Sequence, residues 1–107
     1  MSLINTVRLV GRLKNNIKIE KTKEGDKFII MILSVPREKP EKDGSYKSDL
    51  IDVKVEGKII NEISKKCKKE DLIGVNGYVS TEEPNTEHSS IIIIADSVSH
   101  LAGNGQA

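Results

Sequence analysis

Asn5-Thr6-Val7-Arg8-Leu9-Val10-Gly11-Arg12-Leu13 is the stretch from which the fold can be read. Val7 and Leu9 alternate with Arg8, and Arg12 falls on the arginine side, so apolar side chains and positive charge take opposite faces of an extended chain. Gly11 interrupts the pattern where a bend or bulge is accommodated. A strand with an apolar stripe toward a core and cations outward is how a small barrel presents a surface to a polyanion.

Working outward, the 107 residues amount to one domain with one modest core, which association with further copies would enlarge. A composition of 36% hydrophobic and 31% charged residues is that of a globular chain, neither disordered nor membrane-embedded. No apolar run is long enough to span a bilayer, and the N-terminus has no basic region followed by an apolar one, so neither a membrane anchor nor a signal peptide is expected. The single cysteine, Cys67, rules out an internal disulfide and fits a reducing, cytoplasmic home. Net charge is only +1, so charge distribution says more than the total. Residues 8–27 hold Arg8, Arg12, Lys14, Lys18, Lys21, Lys23 and Lys27 against Glu20, Glu24 and Asp26, and residues 65–69 hold four lysines. Acid collects at Glu82, Glu83 and Glu87.

The first strand is expected over about 4–13, with Asn15-Asn16 as a bend. Lys23-Glu24-Gly25-Asp26 reads as the turn of a hairpin joining 17–22 to 27–35. Phe28-Ile29-Ile30-Met31-Ile32-Leu33 is apolar on both faces, so its outer face needs cover, most simply from a second subunit; a loop or the helix is the alternative. Pro36, Pro40 and Gly44 mark a projecting loop over 36–48. A strand over 49–56 points Ile51, Val53 and Val55 inward. A helix over 58–69 carries Ile59, Ile63 and Cys67 on its apolar face, with lysines crowding its last turns. Strands over 72–80 and 90–95 follow, joined by a polar hairpin containing Pro84-Asn85. This order predicts an all-β chain: a five-stranded OB-fold barrel of antiparallel strands with one α-helix over residues 1–101, then a short flexible tail over 102–107.

The opening stretch resembles the first strand of bacterial single-stranded DNA-binding proteins, which commonly begin Asn-x-Val-x-Leu-x-Gly-Arg-Leu. Further blocks match in order. Thr22, Gly25, Phe28, Met31, Leu33, Val35 and Arg37 follow the family's next pattern in spacing. Ser48-Asp49-Leu50-Ile51 and Gly57-Lys58 look like its Thr-Asp-Phe-Ile and Trp-Gly-Lys blocks, and Lys69 to Gly77 looks like Lys-Gly-Asp-x-Val-x-Val-x-Gly. Ile93, Ala95, Val98 and Leu101 echo the closing strand. The resemblance implies a non-enzymatic protein that coats single-stranded DNA without sequence readout in replication, recombination or repair, as a homo-oligomer (tetramer or dimer). Replication or repair proteins would be further partners, and no cofactor is implied. Long-tailed members end in an acidic-hydrophobic tip; Ala102 to Ala107 is small and polar and matches no such tip, so the chain reads as a divergent member without it.

Single-strand binders combine a positive groove with aromatic platforms, and here the platforms thin out. The chain has no tryptophan, one phenylalanine and two tyrosines. Leu50 and Glu56 stand where the resemblance implies aromatics, and Glu38, Lys39 and Pro84 lie near two further tryptophan positions. Losing three stacks removes on the order of 3–9 kcal/mol. What remains is electrostatic: Arg8, Arg12, Lys54, Lys58, Lys68 and Lys69 are the expected DNA-binding residues, with Tyr78 as the stacking candidate; Arg12, Lys58 and Lys69 match the family pattern position by position. Tyr46 lies in the projecting loop, and Phe28 in this context is more often core. His88 and His100 have no partner at metal-ligand spacing, and no serine or histidine forms a catalytic constellation, so neither metal nor enzymatic chemistry is expected. Two alternatives stay open: a primosomal-type OB-fold accessory protein, and an OB protein-interaction module with weak or no DNA binding, which Glu56 and the scarce aromatics favour.

Overall fold

Alternation along the sequence becomes alternation in burial in the computed structural model, which describes residues 3–82 and 90–103. Six strands and one helix form: β1 (Val7–Leu13), β2 (Glu20–Lys21), β3 (Lys27–Pro36), β4 (Ser48–Glu56), α1 (Ile59–Lys66), β5 (Leu72–Glu82) and β6 (Ser90–Ala102). Along the apolar run of β3, Ile29, Met31 and Leu33 are buried, while Phe28, Ile30 and Ile32 face outward and are half-buried. In β4, Val53 and Val55 point in, and Asp52, Lys54 and Glu56 point out or to the rim.

The strands run β1-β5-β6-β4-β3, and β3 returns to β1 through Arg12↔Ser34 and Leu13↔Leu33, so five strands close a barrel; β2 is a short addition on β3 outside that ring. This is the OB architecture expected from the element order. One seam departs from the expected antiparallel pattern: β4 and β6 are parallel, through Val53↔Ile93 and Lys54↔Ile94. The helix crosses the barrel end after β4, and the β5–β6 hairpin brings β6 back in the direction of β4.

Two asparagine side chains extend the ladders where backbone partners run out. Asn15 donates Nδ2 to the Ile30 carbonyl at 2.9 Å and accepts the Ile32 N–H at 2.8 Å, beside the Lys14 N–H bond to the Ile32 carbonyl. Asn5 does the same for Val79, at 2.8 and 2.9 Å. Each amide supplies one donor and one acceptor, the same pair a peptide unit supplies. The 14–16 segment thus extends the backbone edge of β3 in the plane of the sheet.

The core gathers Leu13, Ile29, Met31, Leu33, Val53, Val55, Ile73, Val75 and Ile93 from the strands, closed at one end by Ile60, Ile63 and Cys67. Burying such side chains contributes roughly 1.5–3 kcal/mol each. The helix is shorter than the expected 58–69. Cys67 is already extended at its C-terminus, its N–H bonding the Ile63 carbonyl. The Asp71 carboxylate then accepts the Lys68 N–H at 2.9 Å and Glu70 takes a left-handed φ of 77°, so Lys68 and Lys69 lie on a turn. Conversely, β6 runs on to Ala102, past the expected end at Ala95, because two register shifts in the β5–β6 ladder, one between Asn76 and Gly77 and one between Leu72 and Ile73, let pairing continue. The tail expected from 102 therefore starts no earlier than Gly103. The Pro84-Asn85 hairpin, His88 and residues 104–107 lie outside the described residues.

Close backbone approach, more than turn geometry, fixes two glycines. A Cβ on Gly77 would sit 2.0 Å from the Ile94 carbonyl oxygen, and one on Gly11 would sit 2.6 Å from that of Ser34. At Gly74 the nearest atom is a flexible Leu101 methyl at 3.3 Å. Urea unfolding should rank the alanine variants accordingly: Gly77→Ala and Gly11→Ala each lose about 3 kcal/mol or more, and Gly74→Ala about 1 kcal/mol or less. A Gly77→Ala protein as stable as the parent would contradict the β5–β6 register.

Candidate nucleic-acid interface

The outward parity of four adjacent strands lines up one row of side chains. Ile30 pairs with Lys54, Lys54 with Ile94, and Ile94 with Tyr78. Lys54 and Tyr78, both expected from the sequence to contact DNA, therefore share a face, with an isoleucine between them. They line a shallow groove of about 410 Å³ together with Glu56, Ser80, Thr81, Glu82, Ile92 and Ile94. Tyr78 is 38% exposed, so part of its ring is open to a ligand.

Beside this row, Phe28 pairs with Glu56 across β3 and β4. Phe28 lies outside the buried core cluster, against the expectation that it is core. Lys54 Nζ sits 4.9 Å from its ring centroid, within cation–π range, and 4.0 Å from Glu56 Oε1. Sequence reasoning passed over Phe28 because an uninterrupted apolar run carries no parity. The signal that would have found it is the preceding Lys27 and the turn before it, which start the strand at a defined residue. Further along the same two strands, Leu50 stands opposite Ser34 and is 68% exposed, an apolar surface without a stacking ring.

The remaining expected contacts fall into separate groups. Lys58 precedes the helix after Gly57, whose φ of 87° turns the chain out of β4, and it lines a second hollow with Asp26, Lys27 and Glu56. Arg8 stands opposite Asn76 and lines a third with Pro36, Arg37, Lys39 and Glu41. Arg12 is occupied differently: its Nη1 donates to the Glu70 carbonyl at 3.3 Å, next to Lys14, whose Nζ bonds the Glu70 carboxylate at 2.9 Å. Both tie β1 to the 67–71 turn, where Lys68 and Lys69 are exposed.

Cations at the edges are matched by acids. The Arg37 guanidinium bonds Asp49 at 3.0 Å and holds that carboxyl below its ordinary range, and Lys66 does the same to Glu62 at 2.7 Å. Burial pushes the Cys67 thiol up, with Asp71 adding to the shift, so the thiol stays protonated at neutral pH. Asp71 itself is buried and bonds His100 Nε2 at 2.9 Å. Among the described residues, no group of histidine, cysteine, aspartate and glutamate is arranged to hold a metal ion, and no helix is long and apolar enough to cross a membrane.

Residues 4–101 match the model of the Single-strand binding protein family. No curated protein sequence matches the chain. Among solved structures, the chain is similar to the mitochondrial single-stranded DNA binding protein of S. cerevisiae, at 14% identity and a TM-score of 0.75, covering 98% of this chain and 100% of that one. It is similar to the Plasmodium falciparum SSB in complex with ssDNA, at 20% identity and a TM-score of 0.74, covering 92% and 94%. The small single-stranded DNA-binding protein of Streptomyces coelicolor aligns at 15% identity with a TM-score of 0.69, covering 92% and 95%. At these identities the likeness speaks for the fold.

Proposed function

The chain belongs to the single-strand binding protein family, whose members bind single-stranded DNA and are not enzymes, and from that premise we propose that it holds the strand on the outer face of β3, β4, β6 and β5 by sequence-independent, mainly electrostatic contacts. The observation that carries this reading is the cross-strand row Ile30–Lys54–Ile94–Tyr78, which sets a cation and an aromatic ring on one exposed face. Lys58 and Arg8, which line hollows of their own, and Lys68 and Lys69 at the turn after the helix would add positive charge at longer range. Arg12 acts mainly by holding the 67–71 turn, through its bond to Glu70. Replication, recombination or repair is the setting in which such binding serves, and the cytoplasm its place.

Titration with oligo-dT at a series of salt concentrations tests the reading. Binding should weaken steeply as salt rises, with log K falling by about 0.7 per neutralised phosphate for each tenfold increase. Lys58→Glu and Arg8→Glu, both exposed, should each lower affinity for all sequences alike and flatten that slope by about 0.7. Affinity indifferent to salt would refute the electrostatic mode.

Glu56 is the second test. It is exposed and outward on β4, beside Phe28 and 4.0 Å from Lys54, where an anion repels phosphate. Glu56→Trp should tighten oligo-dT binding by roughly 1–3 kcal/mol with stability little changed. No gain in a folded variant would move the protein-interaction alternative to first place.

We also propose a homo-oligomer, dimer or tetramer. Val10 and Leu101 are each about half exposed on the β1–β5–β6 face and flank Gly74, an apolar patch that a second copy would cover. Light scattering at micromolar concentration should give a multiple of 11.8 kDa; the monomer mass would refute association.

A further inference from the structure

We propose that Phe28 is a base-stacking platform of this face, closed in the free protein by the Lys54 ammonium and opened when a backbone phosphate draws that ammonium away. The inference rests on the single-strand reading above and goes beyond it by naming a ring, a lock and the ligand group that releases it.

Three observations carry it. First, Phe28 points outward: the buried positions of β3 are 29, 31 and 33, and Phe28 is absent from the core cluster and from the side chains packed against it. Packing in the core cluster therefore does not account for an aromatic residue there. Second, one face of the ring is capped by Lys54 Nζ at 4.9 Å, and the same ammonium reaches only 4.0 Å from Glu56 Oε1, so among the described residues it has no short ion pair to hold it. A cation over a half-buried ring that still meets solvent is held more weakly than by a charge-assisted hydrogen bond to phosphate, so phosphate wins the competition for Nζ. Third, Lys54 is the cation of the groove, and aromatic rings lie on both sides of it. Tyr78 is two strands away through Ile94, and Phe28 is one strand away in the other direction. With strands spaced about 4.8 Å, the two rings flank the cation across about 14 Å of sheet. A nucleotide strand lying across β3, β4, β6 and β5 meets ring, charge and ring in turn, the combination that sequence-tolerant binding uses. Lys54 thereby couples the two kinds of contact: its move to phosphate uncovers the face on which a base stacks.

The chain contains no tryptophan, so Phe28→Trp introduces a single indole that reports stacking directly. Titrated with oligo-dT at low salt, its fluorescence should be quenched in step with binding followed by anisotropy of a labelled oligonucleotide. Phe28→Leu, which keeps apolar bulk, should bind about tenfold more weakly with an unchanged salt slope. Lys54→Met should give a flatter salt dependence whose curve crosses that of the parent: weaker at low salt, where the phosphate contact is missed, and at least as tight at high salt, where the ring is already open. Binding of Phe28→Trp without quenching, or parental affinity in Phe28→Leu, overturns the platform while leaving the single-strand reading intact. Lys54→Met weaker by one factor at every salt concentration overturns the lock. Failure of the parent protein to bind oligo-dT even at low salt removes the single-strand reading and this inference together. Should circular dichroism show Phe28→Trp unfolded, Phe28→Leu and Lys54→Met decide the matter.

Discussion

Closure of the barrel through β1 is the constraint on which the rest depends. That strand pairs with β5 from Val7 to Arg12 and turns onto β3 at Arg12 and Leu13. To serve both neighbours it passes so close to β3 that only a hydrogen fits at Gly11 against the Ser34 carbonyl. Asn5 and Asn15 hold the chain just outside the two ends of β1, each by a pair of bonds to a backbone in a neighbouring strand. A slip of one residue in this closure would exchange the inward and outward sets along β1, sending Arg8 and Arg12 toward the core. The outward row that ends at Tyr78 inherits its position from the same register, because β5 is paired to β1.

Where the sequence alternates, the fold was legible. Val7 and Leu9 against Arg8, and Ile51, Val53 and Val55 against Asp52, Lys54 and Glu56, each fixed a face without further help. The helix was visible in Ile59, Ile63 and Cys67, and its true end was not. That end is set by a carboxylate from beyond it, Asp71 accepting the Lys68 N–H, and by a left-handed glutamate at a position where no local preference favours one. The length of β6 was hidden for a related reason. Its register shifts break the apolar period beyond Ala95, so continued pairing looks like a loop in the letters alone.

The candidate face was only half legible. Lys54 and Tyr78 follow from strand parity on β4 and β5, but their meeting depends on the parallel β4–β6 seam, which places Ile94 between them and has no local signature. Phe28 was hidden by the two-sided apolar run, where either parity is self-consistent until the barrel chooses one. Arg12 shows what family position alone leaves out. It matches the family pattern by position, yet its guanidinium is turned to the Glu70 carbonyl, a contact between residues far apart in sequence.

A chain with a net charge of only +1 can still favour a polyanion, because its cations fall into two classes. Arg12 and Lys14 bond to Glu70, beside the backbone bonds Leu13 N–H to the Asp71 carbonyl and Glu70 N–H to the Leu13 carbonyl that fasten β1 to the turn preceding β5. Lys54 is different. Among the described residues, its ion-pair partner is the Glu56 carboxylate at 4.0 Å, and it also lies over the Phe28 ring face. The Lys54 side chain is half-buried and that of Glu56 exposed, and an ion pair stretched to 4.0 Å with one partner in solvent contributes little, so separating it costs little. A phosphate reaching this face would therefore meet a cation that can leave its partners without disturbing the fold. The carboxylates beside it set a different limit. Glu56 and Glu82 border the same groove as Lys54, so local charge there is not positive, and attraction must come from the surrounding lysines and arginines at longer range. Contacts of that range are screened by salt far more than a close pair is, so on the proposed face salt-resistant binding would have to come from the apolar and aromatic surface of Ile94, Tyr78 and Phe28.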